Sequence, residues 1–357
     1  MKKILVLATS RKTRGGITSV IKAHETGEQW KRYHCKWIET HRDGPMWRKM
    51  WYLMTALLSY IIQIPFYDAI HVHFSTSSSA RRKKIFVRIA KMMNKRIIIH
   101  LHCGSQINDI WNPDYDYLFS VADRCVFLSQ NLQTMVEKHT EKNEKYHVIY
   151  NPCPPTTDTT DVQKRNQILF TGTLIRAKGY ADMIRAFAKI AKRHQDWQIV
   201  FAGNGEIEHG KRIAKGLGIE EQTIWLGWVK GADKDKAFRE ASIFCLPSYA
   251  EGFPMAVLDA WSYGLPVITT PVGGIPDVAK DGENMLLFNP GDVNALAICM
   301  ERMITDMELR NKISGASLEL AKTTFNIDTI NKQIEKLYDE LLSELQKHGK
   351  TERPKYN

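Results

Sequence analysis

The chain has 357 residues, 43% of them hydrophobic, which is enough for a buried core and for two domains. Its formal net charge is +11, and the excess lies in residues 1–155, with 24 Lys and Arg against 12 Asp and Glu. That half suits an anionic partner (nucleic acid, membrane or substrate), while six scattered cysteines with no CxxC pair exclude a disulfide framework and a zinc ribbon.

MKKILVLATS places two lysines before a short apolar run, and RKTRGG follows with no small-residue cleavage site. It is read as a first β-strand, not a signal peptide, which points to a cytoplasmic protein. The RGG loop opens a helix. Gly15 and Gly16 there let a phosphate approach backbone N–H groups, or simply make a tight turn. The GxGxxG dinucleotide fingerprint is absent. Residues 50–66, MWYLMTALLSYIIQIPF, are too short for a span of roughly 20 residues and contain Gln63 and Pro65. A buried or an interfacial helix is expected, flanked by Trp47, Arg48, Lys49, Trp51 and Tyr52, which suit a headgroup boundary.

Strand candidates DAIHVHF, KRIIIHLHC, RCVFLS and YHVIYN follow, alternating with helical segments. His100 and His102 share one strand face, because side chains repeat every two residues. His102, before Cys103 and Gly104, is placed to donate to a sugar hydroxyl or phosphate, or to serve the core. NPCPPTTDTTDVQK (151–164) lacks periodicity and reads as a linker. A second strand–loop–helix opening, NQILFTGTLIRAKGYADMIRAFAKI, comes next, then strands WQIVFAG, TIWLGW, SIFCLPS and LPVITT. Ile330, Ile334, Leu337, Leu341 and Leu345 recur at helical spacing and predict a long closing helix, with a frayed tail TERPKYN. The expected domains are 1–155, 156–330 and a closing helix and tail, 331–357. Alternating strands and helices predict two facing, doubly wound parallel-sheet α/β domains of Rossmann-like type with an interdomain cleft.

Ligands of such sheets bind beyond the carboxyl ends of the strands. After QILF, Arg176 and Lys178 stand where fixed cations meet the growing charge of a diphosphate leaving group. After WQIVFAG, Asn204 and Gly205 make a close-approach turn. After SIFCLPS comes SYAEGFPMAVLDAWSYGLPVITTPVGGIPD. Pro254 at the first position and Gly264 at the end predict a helix over about 254–263. Glu251 precedes it, Asp259 lies within it, and the N–H groups near Phe253 to Val257 face an anion. Two carboxylates so spaced suit hydroxyl recognition at two points, with a diphosphate between them.

These motifs resemble the retaining glycosyltransferases of the GT-B fold, family 4. Glu251-x7-Asp259 corresponds to the family's E-x7-E, GTLIRAKG to GRLxxxKG, FAGNGE to its G-D/N-G loop and TIWLGWV to FLGxV. RGGITSVI, DAIHVHFS, IHLHCG and HVIYNPC resemble its N-terminal segments more loosely. The second acid is Asp rather than Glu, and Thr173 replaces the GRL arginine.

The resemblance implies that Glu251 contacts donor sugar hydroxyls and that Lys178, with Arg176, meets the diphosphate. It implies that backbone from Gly252 through Phe253 and Pro254 to Met255 holds sugar and phosphates, and that Asp259 holds the ribose. His102 would lie beside the sugar and Gly16 near the β-phosphate. It further implies transfer from a nucleoside-diphosphate sugar, UDP-linked by expectation, to a glycan or lipid-diphosphate-linked acceptor in cell-surface polysaccharide assembly. No cofactor, metal or nucleic acid is expected. Arg81, Arg82, Lys83, Lys84 and Arg88, with residues 47–66, are expected to dock on anionic lipid from the cytoplasmic side. A nucleotide-sugar epimerase or phosphorylase on the same fold, and a basic nucleic-acid- or membrane-binding protein, are the rival readings.

Overall fold

The computed structural model describes residues 2–351 apart from 14, 105, 142, 159 and 160, with side chains to residue 344. Arg14 of the RGG loop, the Leu345 side chain and tail residues 352–357 lie outside the described residues. The chain forms two compact units, Met1–Pro152 with Ile327–Asn357, and Cys153–Asn326.

The first unit holds β1 (Ile4–Ala8), β2 (Lys36–Glu39), β3 (Ala69–Phe74), β4 (Arg96–Leu101), β5 (Arg124–Phe127) and β6 (Tyr146–Val148). They form one parallel sheet in the order β2-β1-β3-β4-β5-β6. All-parallel strands are covered on both faces and read as continuous apolar runs. ILVLA of β1 is buried at every position.

One face carries Leu5, Leu7, Ile70, Val72, Ile97 and Ile99, and is covered by helices Met46–Gln63, Ser77–Met92 and Pro113–Val121. The other carries Ile4, Ala69, Ile98 and Val126 against Ile330, Ile334, Leu337 and Leu341 of the helix Ile327–Thr351. The helix Ile327–Thr351 therefore returns to the sheet of the first unit, after the whole of the second. Thr76, Asn112 and Ser129 start their helices by accepting a hydrogen bond from a backbone N–H of the first turn.

The second unit holds β7 (Gln167–Thr171), β8 (Gln198–Ala202), β9 (Thr223–Gly227), β10 (Ile243–Leu246), β11 (Val267–Thr269) and β12 (Leu286–Leu287). Its parallel sheet runs β12-β11-β10-β7-β8-β9. β2 and β12 were not among the expected strands. Both are edge strands, of four and two residues, too short to show a period.

Residues 46–66 form the helix Met46–Gln63 and a turn Ile64–Phe66. Ala56, Tyr60 and Ile64 are buried, while the opposite face is exposed. No helix among the described residues is long and apolar enough to cross a membrane.

Candidate active site

In the second unit the loops after β7 and β10 bring two predicted residues together. Lys178 Nζ donates to Glu251 Oε1 at 2.6 Å, and Ser248 Oγ donates to the same oxygen at 2.7 Å. Lys178 ends a short turn, Arg176–Lys178, that Gly179 closes at φ +67°. A Cβ on Gly179 would lie 2.0 Å from the carbonyl oxygen of Pro247, so only glycine lets this loop pass so close to the strand end. The Tyr249 N–H donates to Ala177 O at 2.9 Å, lacing the loops together. Gly273, at φ +61°, backs Glu251: a Cβ there would sit 2.2 Å from Gly252 O and 2.5 Å from Glu251 O. The Gly274 N–H donates to Gly252 O at 2.7 Å. Glu251 is thus fixed by backbone on one side and by Ser248 and Lys178 on the other.

Arg176 is exposed, as is Thr173. Asn204 and Gly205 are tied to the Lys178 loop through Leu174, whose N–H donates to Asn204 O at 2.7 Å and whose O accepts from Glu206 N at 2.9 Å. The helix after Glu251 spans Met255–Ser262, with Pro254 as its N-cap rather than its first residue, and Gly264 at φ +64° closes it. No side chain caps this helix. The Val257 N–H donates to Pro254 O at 3.0 Å, so it is occupied by the turn and does not face an anion as expected. The Phe253 ring is buried and packs on Phe325 and Trp261, leaving only its backbone for a ligand.

Asp259, on the helix, pairs with Lys234 Nζ at 2.7 Å. Burial raises the Asp259 pKa, and the Lys234 ammonium works against that shift. The sequence reading missed Lys234 and Ser248. Lys234 lies in the polar helix Ala232–Glu240, where nothing in the local pattern marks one lysine among several. Ser248 could have been flagged as a hydroxyl just past a strand end.

In the first unit Gly15 is the N-cap of the helix Gly16–His24, again without a side-chain cap. His102 follows β4, and His73 Nδ1 lies 2.8 Å from its Nε2. His71, His73, His100 and His102 stand in a grid, because β3 and β4 pair with His73 opposite His100. His71 Nδ1 lies 2.7 Å from the Tyr338 hydroxyl, and His24 Nδ1 lies 2.8 Å from Asn331 Oδ1. Burial lowers the pKa of all five rings, that of His102 to about 3, and neighbouring histidines push the same way in the grid. His71, His73 and His100 are, among the described residues, the group whose ligand atoms gather within 4.8 Å. The His71 and His100 rings, however, are stacked at 8° with centroids 5.4 Å apart. Lone pairs lie in the ring planes, so parallel rings do not converge on one ion at about 2.0–2.1 Å. The grid is better suited to holding His102 than to holding a metal.

Lys83 departs from its expected surface role. It is buried, its Nζ donates to Thr40 Oγ1 at 2.5 Å, and burial lowers its pKa well below the usual lysine range. Lys84 pairs with Asp114 at 2.8 Å, and Arg82 is partly buried.

Residues 158–319 match the family of glycosyl transferases group 1. A glycosyltransferase of Methanocaldococcus jannaschii is 29% identical over 302 residues, covering 78% of this chain and 76% of that protein. The lipopolysaccharide 1,6-galactosyltransferase of Salmonella typhimurium is 26% identical over 206 residues, covering 56% of this chain and 57% of its own length. Among solved structures, the Anabaena protein HepE in complex with UDP superposes with a TM-score of 0.77 at 19% identity, over 95% of this chain and all of that one. That likeness shows the fold. Lys178, Glu251 and Asp259 all fall inside the matched segment. With the relatives and the shared fold, that match makes the protein a glycosyltransferase of GT-B architecture.

Proposed function

We propose that the protein is a retaining, family 4 hexosyltransferase that moves a sugar from a UDP-linked donor to a glycan or lipid-diphosphate-linked acceptor in cell-surface polysaccharide assembly. The observation that carries this reading is the Lys178–Glu251 pair, 2.6 Å apart at the ends of β7 and β10. In a nucleotide sugar the ring and the β-phosphate share one oxygen. A carboxylate for sugar hydroxyls and an ammonium for the phosphate therefore belong side by side. An ammonium has three N–H donors, and Glu251 takes one of them.

In this reading the bond from the anomeric carbon to the phosphate oxygen breaks, and Lys178 with Arg176 meets the charge that builds on the leaving diphosphate. The acceptor hydroxyl attacks from the same face, and its proton passes to the leaving phosphate oxygen. No protein nucleophile and no metal is required. Asp259, oriented by Lys234, takes the ribose hydroxyls. His102, neutral through burial, serves the sugar as a hydrogen-bond partner rather than as a cation. The UDP and UDP-glucose complexes of HepE support uridine as the base. The Salmonella galactosyltransferase supports a saccharide acceptor.

Thermal unfolding with UDP, GDP, ADP and CMP, each at millimolar concentration, tests the donor class. A ligand at 100 times its Kd stabilises by ~2.7 kcal/mol. A shift with UDP alone is expected. A shift with another nucleotide, or with none, overturns the UDP assignment.

A further inference from the structure

The helix Met46–Gln63 is apolar on two faces. Leu53, Ala56, Leu57, Tyr60 and Ile64 pack into the core of the first unit, and the Tyr60 hydroxyl donates to Phe86 O at 2.9 Å. On the opposite side Trp47, Trp51, Met54, Leu58, Ile62 and Phe66 form a stripe at helical spacing, each between 59 and 72% exposed. Met50 and Ile61 widen it. A helix apolar all round belongs in a core or against lipid. One face of this helix is already in the core, and it does not meet the requirements of a span.

The neighbouring helix Ser77–Met92 covers the same face of the sheet. It turns outward Arg81, Ile85, Arg88 and Met92, spaced four, three and four residues apart, all exposed. The sequence has a single acid between Asp43 and Asp109, namely Asp68. Its Oδ2 accepts from the Lys3 N–H at 2.7 Å, at the start of β1. Two adjacent helices thus present apolar tips, tryptophans and cations, and neither carries an acid.

We infer that this surface, formed by the helices Met46–Gln63 and Ser77–Met92, docks the protein in the plane of an anionic lipid bilayer. Tryptophan and the apolar stripe enter the headgroup boundary, and Arg88 and Lys91 face lipid phosphates. Charge is what selects this occupant. A second copy on a two-fold axis would set the same cations against each other, whereas an anionic leaflet attracts each of them. The docking cations differ from those the sequence suggested, because Lys83 is buried and both Lys84 and Arg81 pair with Asp114, at 2.8 and 3.5 Å. The inference deepens the lipid-linked acceptor reading and does not depend on the donor assignment.

Co-sedimentation of the full chain with phosphatidylcholine vesicles, with and without phosphatidylglycerol, tests it. Binding is expected only with the anionic lipid and is expected to weaken in high salt. Trp51→Glu with Leu58→Glu, and separately Arg88→Glu with Lys91→Glu, are each expected to weaken it about tenfold or more. These side chains are exposed, so circular dichroism and the UDP-induced thermal shift stay unchanged. Equal binding to neutral and anionic vesicles, no binding to either, or a dimer that the Trp51→Glu/Leu58→Glu variant dissociates would overturn the inference. A lost UDP shift with intact vesicle binding would count against the donor reading alone.

Discussion

His73 Nδ1 lies 2.8 Å from His102 Nε2, so the histidine at the end of β4 takes its orientation from one on β3. Both rings are held neutral by burial, so one donates and the other accepts. The bond leaves His102 its Nδ1 for a ligand. His73→Phe removes that support without touching a ligand. We expect kcat to fall about tenfold with the donor KM little changed, the size of one buried hydrogen bond. His73→Asn, which keeps a polar partner, is expected to recover part of the loss. Steady-state kinetics with a UDP-sugar reads both.

Lys178→Ala and Glu251→Ala are expected to lower kcat/KM by about 10²–10³, the range for removing a group that meets transition-state charge. The pair is partly exposed, with side-chain exposures of 27% and 10%, so melting temperature should shift by little. Near-normal turnover in both variants would remove the site assignment.

Gly273→Ala is expected to damage stability and transfer together. The added carbon meets two carbonyl oxygens, those of Gly252 and Glu251, and φ is positive. The cost is about 1–3 kcal/mol from backbone strain alone. Differential scanning calorimetry and an activity assay on the same sample check it. An unchanged melting temperature would show that the loop can move.

Lys234→Met leaves burial of Asp259 unopposed, so its carboxyl pKa should climb further. A protonated Asp259 is a poorer acceptor for ribose hydroxyls. UDP binding is expected to weaken about tenfold, and more at acid pH than at neutral pH. Isothermal titration at two pH values measures this.

Acid should unfold the first unit before the second. Burial holds His24, His71, His73, His100 and His102 below their usual pKa of 6.5. Below that pH the unfolded chain takes up protons that the folded unit refuses. Stability therefore rises with pH up to about 6.5 and falls beneath it, by up to ~1.4 kcal/mol per pH unit for each ring. Hydrogen exchange between pH 6.5 and about 5 is expected to rise first in β3, β4 and the helix Ile327–Thr351. Uniform protection across both units would contradict it.

The parallel sheets were legible because their interior strands are buried on both faces, so ILVLA, AIHVHF and RIIIHL stand out as unbroken runs. The acids at 251 and 259 were legible because glycine and proline punctuate the chain around them. Which cation each acid meets was not. Lys178 is 73 residues from Glu251, and only the pairing of β7 with β10 in the sheet brings their loops together. Lys234 and Asp259 come from two helices, and no local period encodes that meeting. Lys83 looked like part of a basic surface run, yet about half a turn of helix separates it from Arg81, so it points inward to Thr40 while Arg81 stays outside. Helical phase, not composition, decides which cations of RRKK reach solvent.

The return of the last helix to the first sheet has a consequence for synthesis. Residues 153–326 form a continuous stretch and contain their whole unit, whereas the first unit lacks Ile330, Ile334, Leu337 and Leu341 until the chain has passed through the second. On the ribosome the second unit can therefore complete its core while β1, β3, β4 and β5 still expose one apolar face. A nascent chain stopped near residue 326 would carry a finished second unit and an uncovered sheet, the state in which a chaperone has most to hold.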